Sequence, residues 1–161
     1  MSESIIKERT VTHSTFSVER VYDAKPARVF AAWADPDIKR RWFKGPEDWT
    51  SGDYELDFRV GGYERESGGP PGGPVHYYEA RYWDIVPNQR IVSTYDMHLD
   101  ETRISVSLAT VELKAAGSST KLTYTEQGAY LDGFDDVSSR QNGTGGLLDA
   151  LGEELNRQAS A

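Results

Sequence analysis

The polar residues best suited to chemistry lie near the end of the chain. Glu126 follows Leu122 and Tyr124 at intervals of two, which places all three side chains on one face of a predicted strand. If that face is buried, the carboxylate needs a partner, because burying an unpaired charge is unfavourable. Arg140, at the start of a predicted helix, is the first candidate partner, and Asp132 is the second. A Glu126–Arg140 pair either locks the helix to the sheet or belongs to a ligand site, and both can hold.

Aromatic side chains supply the other candidates. The sequence contains 9 tyrosines and 4 tryptophans, a content that favours an apolar pocket with a few polar groups. Many such residues are ordinary core residues, so plain packing is the alternative for Trp42, Phe58 and Tyr82. The predicted ligand-binding residues are Trp42, Phe58, Tyr78, Tyr82, Tyr95, Tyr124, Glu126, Tyr130, Arg140 and Gly143.

Other kinds of site receive little support. His13, His76 and His98 have no metal-ligand spacing, so no metal is expected. The chain has no cysteine and no serine in a nucleophile motif, so no catalytic residue is assigned. The segment SGGPPGGP lacks the Gly-Lys-Ser/Thr ending of a phosphate-binding loop. We therefore predict no cofactor.

Length and charge restrict the partners. A chain of 161 residues is expected to form one domain, with its core at about 14–158. Its net charge of −8 disfavours nucleic acids and anionic membranes. The single basic run, Lys39, Arg40, Arg41 and Lys44, is interpreted as a solvated helix face. With neither a signal peptide nor a membrane span predicted, we expect a cytoplasmic protein that is a monomer or a weak homodimer.

A long amphipathic helix is predicted over 136–158. Leucines at 147, 148, 151 and 155 form its apolar stripe, and Glu154 is among the residues expected to face away. The first half instead carries small residues, including Ser139, Gly143 and Gly146, which are poor helix formers. We therefore expect either a close approach of the sheet or a ligand cavity beside that half.

The remaining chain predicts a curved antiparallel sheet. A strand at 16–22 precedes two short helices that begin at Pro26 and Pro36. Strands then follow at 54–60, 75–86, 90–98, 102–114 and 120–127, with a bend at Gly61-Gly62, a mobile loop at Ser67–Pro74 and a bulge between Leu108 and Ala109. The expected fold is α+β, in which six to seven strands wrap around the long C-terminal helix.

Five segments in this order resemble one known superfamily. They are ERVYDAKPARVFAAWADPDIKRRWF (19–43), DFRVGG (57–62), YWDIVPNQRIVSTYDM (82–97), TKLTYTEQG (120–128) and RQNGTGGLLDALGEEL (140–155). The chain is similar to the START-like, helix-grip (SRPBCC) superfamily, in the polyketide-cyclase-like branch of homologues of the activator of the heat-shock-protein-90 ATPase. One departure is Thr144-Gly145-Gly146, where many members carry a Gly-Trp pair.

The resemblance implies a cavity between the sheet and the long helix that holds an apolar molecule. Our first functional hypothesis is therefore binding, without catalysis, of a small apolar or amphipathic molecule. The second is an acid–base enzyme of cyclase or dehydratase type that uses Glu126 or Asp132 with tyrosine donors. The third, which the family name implies, is a chaperone-linked interaction domain.

Overall fold

The computed structural model describes residues 8–160, which form seven strands and three helices. In chain order these are β1 (Val11–Tyr22), α1 (Pro26–Ala34), α2 (Pro36–Trp42), β2 (Thr50–Leu56), β3 (Tyr63–Gly69), β4 (His76–Val86), β5 (Arg90–Leu99), β6 (Thr102–Ala116), β7 (Ser119–Leu131) and α3 (Val137–Ser160).

All seven strands join one antiparallel sheet in the order β1-β7-β6-β5-β4-β3-β2. Short connections join consecutive strands from β2 to β7, which is the usual origin of antiparallel pairing. The first strand pairs with the last, so β1 and β2 are the two edges. This curved sheet with a long C-terminal helix and two short helices after β1 confirms the predicted helix-grip fold.

Helix α3 covers the concave face of the sheet and lies closest to β1 and the two short helices. Leu148, Leu151 and Leu155 are 1%, 0% and 3% exposed, as the apolar stripe predicted, while Leu147 is half-buried. Within residues 8–160, no helix has both the length and the apolar composition needed to cross a membrane. The leucine stripe therefore sets which side of α3 faces the sheet.

The outward orientation predicted for Glu154 is wrong. Its side chain is 1% exposed and is paired with Arg41, at 3.4 Å, and with Arg157, at 2.8 Å. Glu154 follows Leu151 by three residues, so the two side chains are neighbours on the helix surface. This side of α3 faces the short helices. The ion pairs allow a carboxylate to occupy a position where an apolar residue would otherwise be expected.

The two short helices begin as predicted, each with a proline in its first turn. Asp35 caps α2 by accepting a hydrogen bond from the Asp37 amide at 2.9 Å. The prediction that Lys39 is solvated is wrong, because its side chain is only 2% exposed. Lys39 lies one turn before the buried Trp42, on the inner side of α2, where it meets an acidic residue of β3.

The segment between β2 and β3 differs from its prediction. The strand expected at 54–60 ends at Leu56, and residues 57–62 form a tight turn. Gly61 has a φ of +83° in this turn, a left-handed conformation that suits glycine. The predicted bend at Gly61-Gly62 is therefore part of a hairpin connection rather than a bulge within one strand.

The loop predicted at Ser67–Pro74 is shorter than expected. Strand β3 continues to Gly69, and its residues as far as Gly68 pair with β4. The backbone pairs there because strand formation needs no large side chain when a neighbouring strand supplies the hydrogen bonds.

The bulge predicted between Leu108 and Ala109 is also displaced. The pairing of β6 with β7 is regular at that point. The register shift lies instead near the start of β6, where this strand pairs with Met97 and His98 of β5. The apparent change of apolar phase arises because Leu108 is an exposed residue of the convex face.

Candidate functional site

Small side chains form the floor of the concave face. On β4, β5, β6 and β7 the inward positions include Ala80, Ser93, Ser107, Ala109 and Gly128. Large polar and aromatic side chains occupy the neighbouring inward positions and lie over this floor. The arrangement places tyrosine hydroxyls and carboxylates in the interior, where each requires a partner.

The first buried polar cluster is centred on Glu126, which is 0% exposed. The hydroxyls of Tyr95 and Tyr124 both donate to its Oε1 at 2.7 Å. Arg140 Nη1 lies 3.4 Å from its Oε2, so the predicted pairing is present. Burial and the neighbouring carboxylate raise the pKa of Tyr95 and Tyr124, which keeps both phenols protonated as donors.

Arg140 also makes contacts that fix it in place. Its Nη1 donates to the Tyr95 hydroxyl at 2.8 Å, and its Nη2 donates to Ser105 Oγ and to Asp135 Oδ2, each at 2.7 Å. Burial lowers the pKa of Arg140, but its interactions with the Tyr95 hydroxyl and with the Glu126 and Asp135 carboxylates more than offset this effect. The guanidinium therefore joins α3 and the segment before it to strands β5, β6 and β7.

Two buried hydroxyls beside this cluster have no hydrogen-bond partner among the described residues, namely Tyr130 Oη and Ser107 Oγ. A Cβ atom built on Gly128 would lie 3.2 Å from each of them. The Arg140 guanidinium carbon lies 5.5 Å from the centre of the Tyr130 ring. Glycine at position 128 therefore leaves room for both hydroxyls on the floor of the concave face.

A second buried polar cluster, centred on Glu64 of β3, was not predicted. Lys39 Nζ lies 3.0 Å from Glu64 Oε1, with side-chain exposures of 2% and 1%. The Tyr54 hydroxyl donates to Glu64 Oε2 at 2.6 Å, and the Tyr82 hydroxyl donates to Oε1 at 3.3 Å. Four side chains from α2, β2, β3 and β4 are thus joined through one carboxylate.

Aromatic rings enclose the ammonium of Lys39. Its Nζ lies 4.4 Å from the centre of Phe43, 4.8 Å from Trp33 and 5.6 Å from Trp42. Such contacts stabilise a cation, and more strongly when water is excluded. The predicted ligand-binding residue Trp42 is 2% exposed, and its Nε1 donates to Ala32 O at 3.0 Å, so it packs in the core here.

Tyr78 lies between the two clusters, but its hydroxyl bonds to neither of the carboxylates that hold the tyrosines of those clusters. Its ring centre is 4.8 Å from Tyr95 and 5.0 Å from Phe43. The side chain is half-buried, and its hydroxyl makes no hydrogen bond with any other described residue. Burial raises the pKa of Tyr78 well above its usual value, so the phenol is neutral.

The remaining predicted residues lie at different places. Phe58 is half-buried against Phe30 and Tyr82, with ring centres 5.7 and 4.9 Å away. Asp132 was a candidate partner of Glu126, but its carboxylate instead pairs with Arg9 at 2.7 Å. The structure therefore separates Asp132 from the Glu126 cluster.

The orientation expected for the glycine-rich face of α3 is wrong. Gly143 and Gly146 are exposed, and a Cβ atom on either would meet no other heavy atom within 4 Å. Thr144 and Gly145 face inward instead, because the phase of α3 follows its leucine stripe. A Cβ atom on Gly145 would lie 3.2 Å from Arg20 Nη2.

Two surface depressions, of about 230 and 290 Å³, lie away from these clusters. The first is bordered by Arg9 and Phe134, and the second by His13 and Val106. Neither is lined by a predicted ligand-binding residue. On the concave face, the rings of Tyr78, Tyr95 and Tyr124 pack together over Ala80 and Ala109.

Sequence reasoning missed Lys39, Glu64 and Glu66 as candidate functional residues. The segment YERESGG carries three consecutive charged residues, a composition typical of a solvent-exposed strand. One available signal was that Glu64 and Glu66 occupy the same strand face. Their inward orientation depends on the pairing of β3 between β2 and β4.

Comparison with solved structures identifies close relatives of the same size. An uncharacterized protein from Rhizobium leguminosarum is 46% identical, with a TM-score of 0.89 over 94% of this chain and 99% of that one. A protein from Rhizobium loti is 47% identical, with a TM-score of 0.84 over 90% and 99% of the two chains. A protein from Chromobacterium violaceum is 26% identical, with a TM-score of 0.72 over 86% and 94%.

The comparison with curated proteins gives no match. The family model described as activator of Hsp90 ATPase homolog 1-like protein matches residues 23–156. This match includes the two short helices, strands β2 to β7 and most of α3. The chain therefore belongs to the family of proteins that resemble activator of Hsp90 ATPase homolog 1.

Proposed function

We propose that this protein binds a small amphipathic molecule on the concave face, between the sheet and α3, without catalysing a reaction. The observation that carries the proposal is the state of Tyr78. It lies over an aromatic surface between two buried polar clusters, and it is the half-buried tyrosine there whose hydroxyl has no partner among residues 8–160.

The contrast with the neighbouring tyrosines supports a role for the Tyr78 ring as a movable cover over the apolar surface beneath it. Glu126 holds the hydroxyls of Tyr95 and Tyr124, and Glu64 holds those of Tyr54 and Tyr82. Moving any of those four would break a buried hydrogen bond, which costs roughly 1–3 kcal/mol. Rotating Tyr78 breaks none, so its ring can leave Tyr95 and expose an apolar surface to a ligand.

The chemistry of this region fits an amphipathic ligand. The rings of Tyr78 and Phe43 offer apolar area, and the Tyr78 hydroxyl offers one uncommitted donor. The ion pair of Glu126 with Arg140, by contrast, is saturated by its protein partners and acts as a structural lock. Ligand binding is therefore assigned to the region around Tyr78, and positioning of α3 is assigned to Glu126 and Arg140.

The alternative of an acid–base enzyme has less support, because the two carboxylates that it would use, Glu126 and Asp132, are occupied by protein partners. Glu126 accepts from two phenols and an arginine, and Asp132 is paired with Arg9 and accepts from the Thr10 amide at 2.9 Å. Neither arrangement leaves a carboxylate aimed at a substrate. A chaperone-linked role rests on the family name alone.

The test is titration with the neutral fluorophore diphenylhexatriene, which fluoresces in apolar surroundings. Tyr78→Ala removes the proposed cover and its hydroxyl, and Tyr77→Ala removes the adjacent tyrosine, which is 43% exposed on the convex face. We expect native protein to bind the probe, Tyr78→Ala to change the dissociation constant at least about fivefold, and Tyr77→Ala to leave it unchanged. No probe binding by the native protein, or equal effects of the two substitutions, would overturn the proposal.

A further inference from the structure

Glu66 is an inward-facing carboxyl without an ion-pair partner in the part of the chain that the structure describes. On β3, Arg65 points outward and lies near Glu55 and Glu79, at 3.8 and 3.6 Å. Glu64 and Glu66 therefore share the concave face. Glu66 is half-buried, yet its side chain forms no hydrogen bond or ion pair with any described residue.

Among residues 8–160, Lys39 is the cation that acts on Glu66, and it is already paired with Glu64. Lys39 Nζ is 3.0 Å from Glu64 Oε1, and three aromatic rings enclose it. Burial, followed by the charge of Glu64, raises the pKa of Glu66 to about 8 against the opposing effect of Lys39. One ammonium thus acts on two carboxyl groups, and Glu66 is the one that forms no ion pair with a described residue.

Aromatic residues border Glu66 on both sides. Strand pairing places Tyr54 of β2 and Tyr78 of β4 directly opposite it. The Phe43 ring lies 5.0 Å from Tyr78 at a steep angle. The next residue on this face of β3 is Gly68, which contributes no side chain. A group entering beside Glu66 would meet a carboxyl and aromatic rings together, the two features that attract organic cations in proteins.

We propose that the position beside Glu66 binds the positively charged end of an organic cation, such as an amphipathic amine or a quaternary ammonium compound. The apolar part of this ligand lies against Tyr78 and Phe43, and its charge is paired with Glu66. This inference rests on the proposed function, because it names the chemical class of ligand taken by the same concave face.

Binding of such a ligand is linked to loss of a proton. The titratable groups facing Glu66 are Tyr54 of β2, Glu64 of β3, Tyr78 of β4 and Lys39 of α2. Burial raises the pKa of both tyrosines, so they remain neutral through the range in which Glu66 ionises. Affinity for a permanent cation therefore rises with pH until Glu66 is ionised in the free protein, and affinity for a neutral molecule does not.

Three matched fluorophores test the proposal: diphenylhexatriene, its trimethylammonium derivative and its propionate derivative. We expect the trimethylammonium compound to bind native protein at least about tenfold more tightly than the other two, since it adds ion pairing and cation–π contact. Glu66→Gln keeps the shape and removes the charge, so it should abolish this preference. Glu79→Gln, on the exposed face of β4, should preserve it.

The outcomes separate this inference from the proposed function. Equal binding of all three fluorophores to native protein overturns the inference and leaves the proposed function standing. Failure of the neutral fluorophore to bind removes the proposed function itself. The native protein also provides a test without substitution, because its affinity for the trimethylammonium compound should rise between about pH 6 and about pH 8. A flat profile contradicts the role of Glu66.

Discussion

Lys39 of α2 and Glu64 of β3 form an ion pair in the interior, with Nζ 3.0 Å from Oε1 and side-chain exposures of 2% and 1%. The pair joins the second short helix to a strand near the β2 edge of the sheet. Because Tyr54 and Tyr82 also donate to Glu64, the carboxylate retains hydrogen-bond partners although water is excluded. The pair therefore positions Trp42 of α2 and the adjoining Phe43 over the concave face.

Removing one partner of this pair should be strongly destabilising. Lys39→Met leaves the Glu64 charge buried, and we expect a loss of about 3–5 kcal/mol in the free energy of unfolding. Urea denaturation provides the measurement. Arg40→Met is the matched control, because Arg40 is exposed on the same helix and should change stability by less than about 0.5 kcal/mol. Equal effects of the two substitutions would show that the ion pair is not needed.

Glu66 should make stability depend on pH. Its folded pKa of about 8 exceeds the ordinary 4.5, so the folded state binds the proton more tightly than the unfolded state. The stability contributed by protonated Glu66 is present below its unfolded pKa and is lost as pH rises towards 8. Glu66→Gln, which stays neutral, should therefore gain on the order of 2 kcal/mol relative to native protein between about pH 5 and about pH 8.5.

Chemical denaturation of both proteins at the two pH values checks this prediction. Glu79→Gln controls for the general effect of removing a negative charge, since Glu79 is exposed on the convex face. A stability difference between native protein and Glu66→Gln that stays constant with pH would contradict the raised pKa.

Truncation of Leu151 should show how much α3 contributes to the stability of the core. It is 0% exposed, and Leu151→Ala should lower the free energy of unfolding by roughly 2–5 kcal/mol through lost burial and a cavity. Leu108→Ala, at a residue 36% exposed on β6, serves as the comparison for the same chemical change. A loss below about 0.5 kcal/mol for Leu151→Ala would show that α3 does not organise the core.

Alanine substitution of a glycine in α3 and of a glycine in the β6–β7 turn should change stability in opposite directions. Gly146 is exposed within the helix and has free space around it, so Gly146→Ala should raise stability by about 0.5–1 kcal/mol. Gly117 has a φ of +62°, and Gly117→Ala should lower stability by about 1 kcal/mol because alanine disfavours that conformation. Melting temperatures measured by circular dichroism distinguish the two. If Gly146→Ala is strongly destabilising, that face of α3 is not free.

Local patterns in the sequence were sufficient to predict the architecture. The leucine stripe predicted α3, prolines marked the starts of α1 and α2, and short turns indicated antiparallel strands. The pairing of Glu126 with Arg140 was also accessible, because the strand period placed Glu126 beside Leu122 and the helix start placed Arg140 nearby. The helices and turns depend on residues that are close together in the chain. The Glu126–Arg140 pair depends only on how the last strand meets the helix that follows it.

The other interior charges, beyond Glu126 and Arg140, were decided only by the tertiary structure. A period of two shows that Glu64 and Glu66 share a face, but a partner strand on each side determines that this face is buried. Lys39 and Glu154 were likewise expected in solvent, because charged residues on short amphipathic elements usually are. Each meets a partner distant in the chain: 25 residues separate Lys39 from Glu64, and Glu154 contacts Arg41 of α2. Burial and pairing of these charges arise from elements that meet only on folding, so the spacing of residues along the chain does not indicate them.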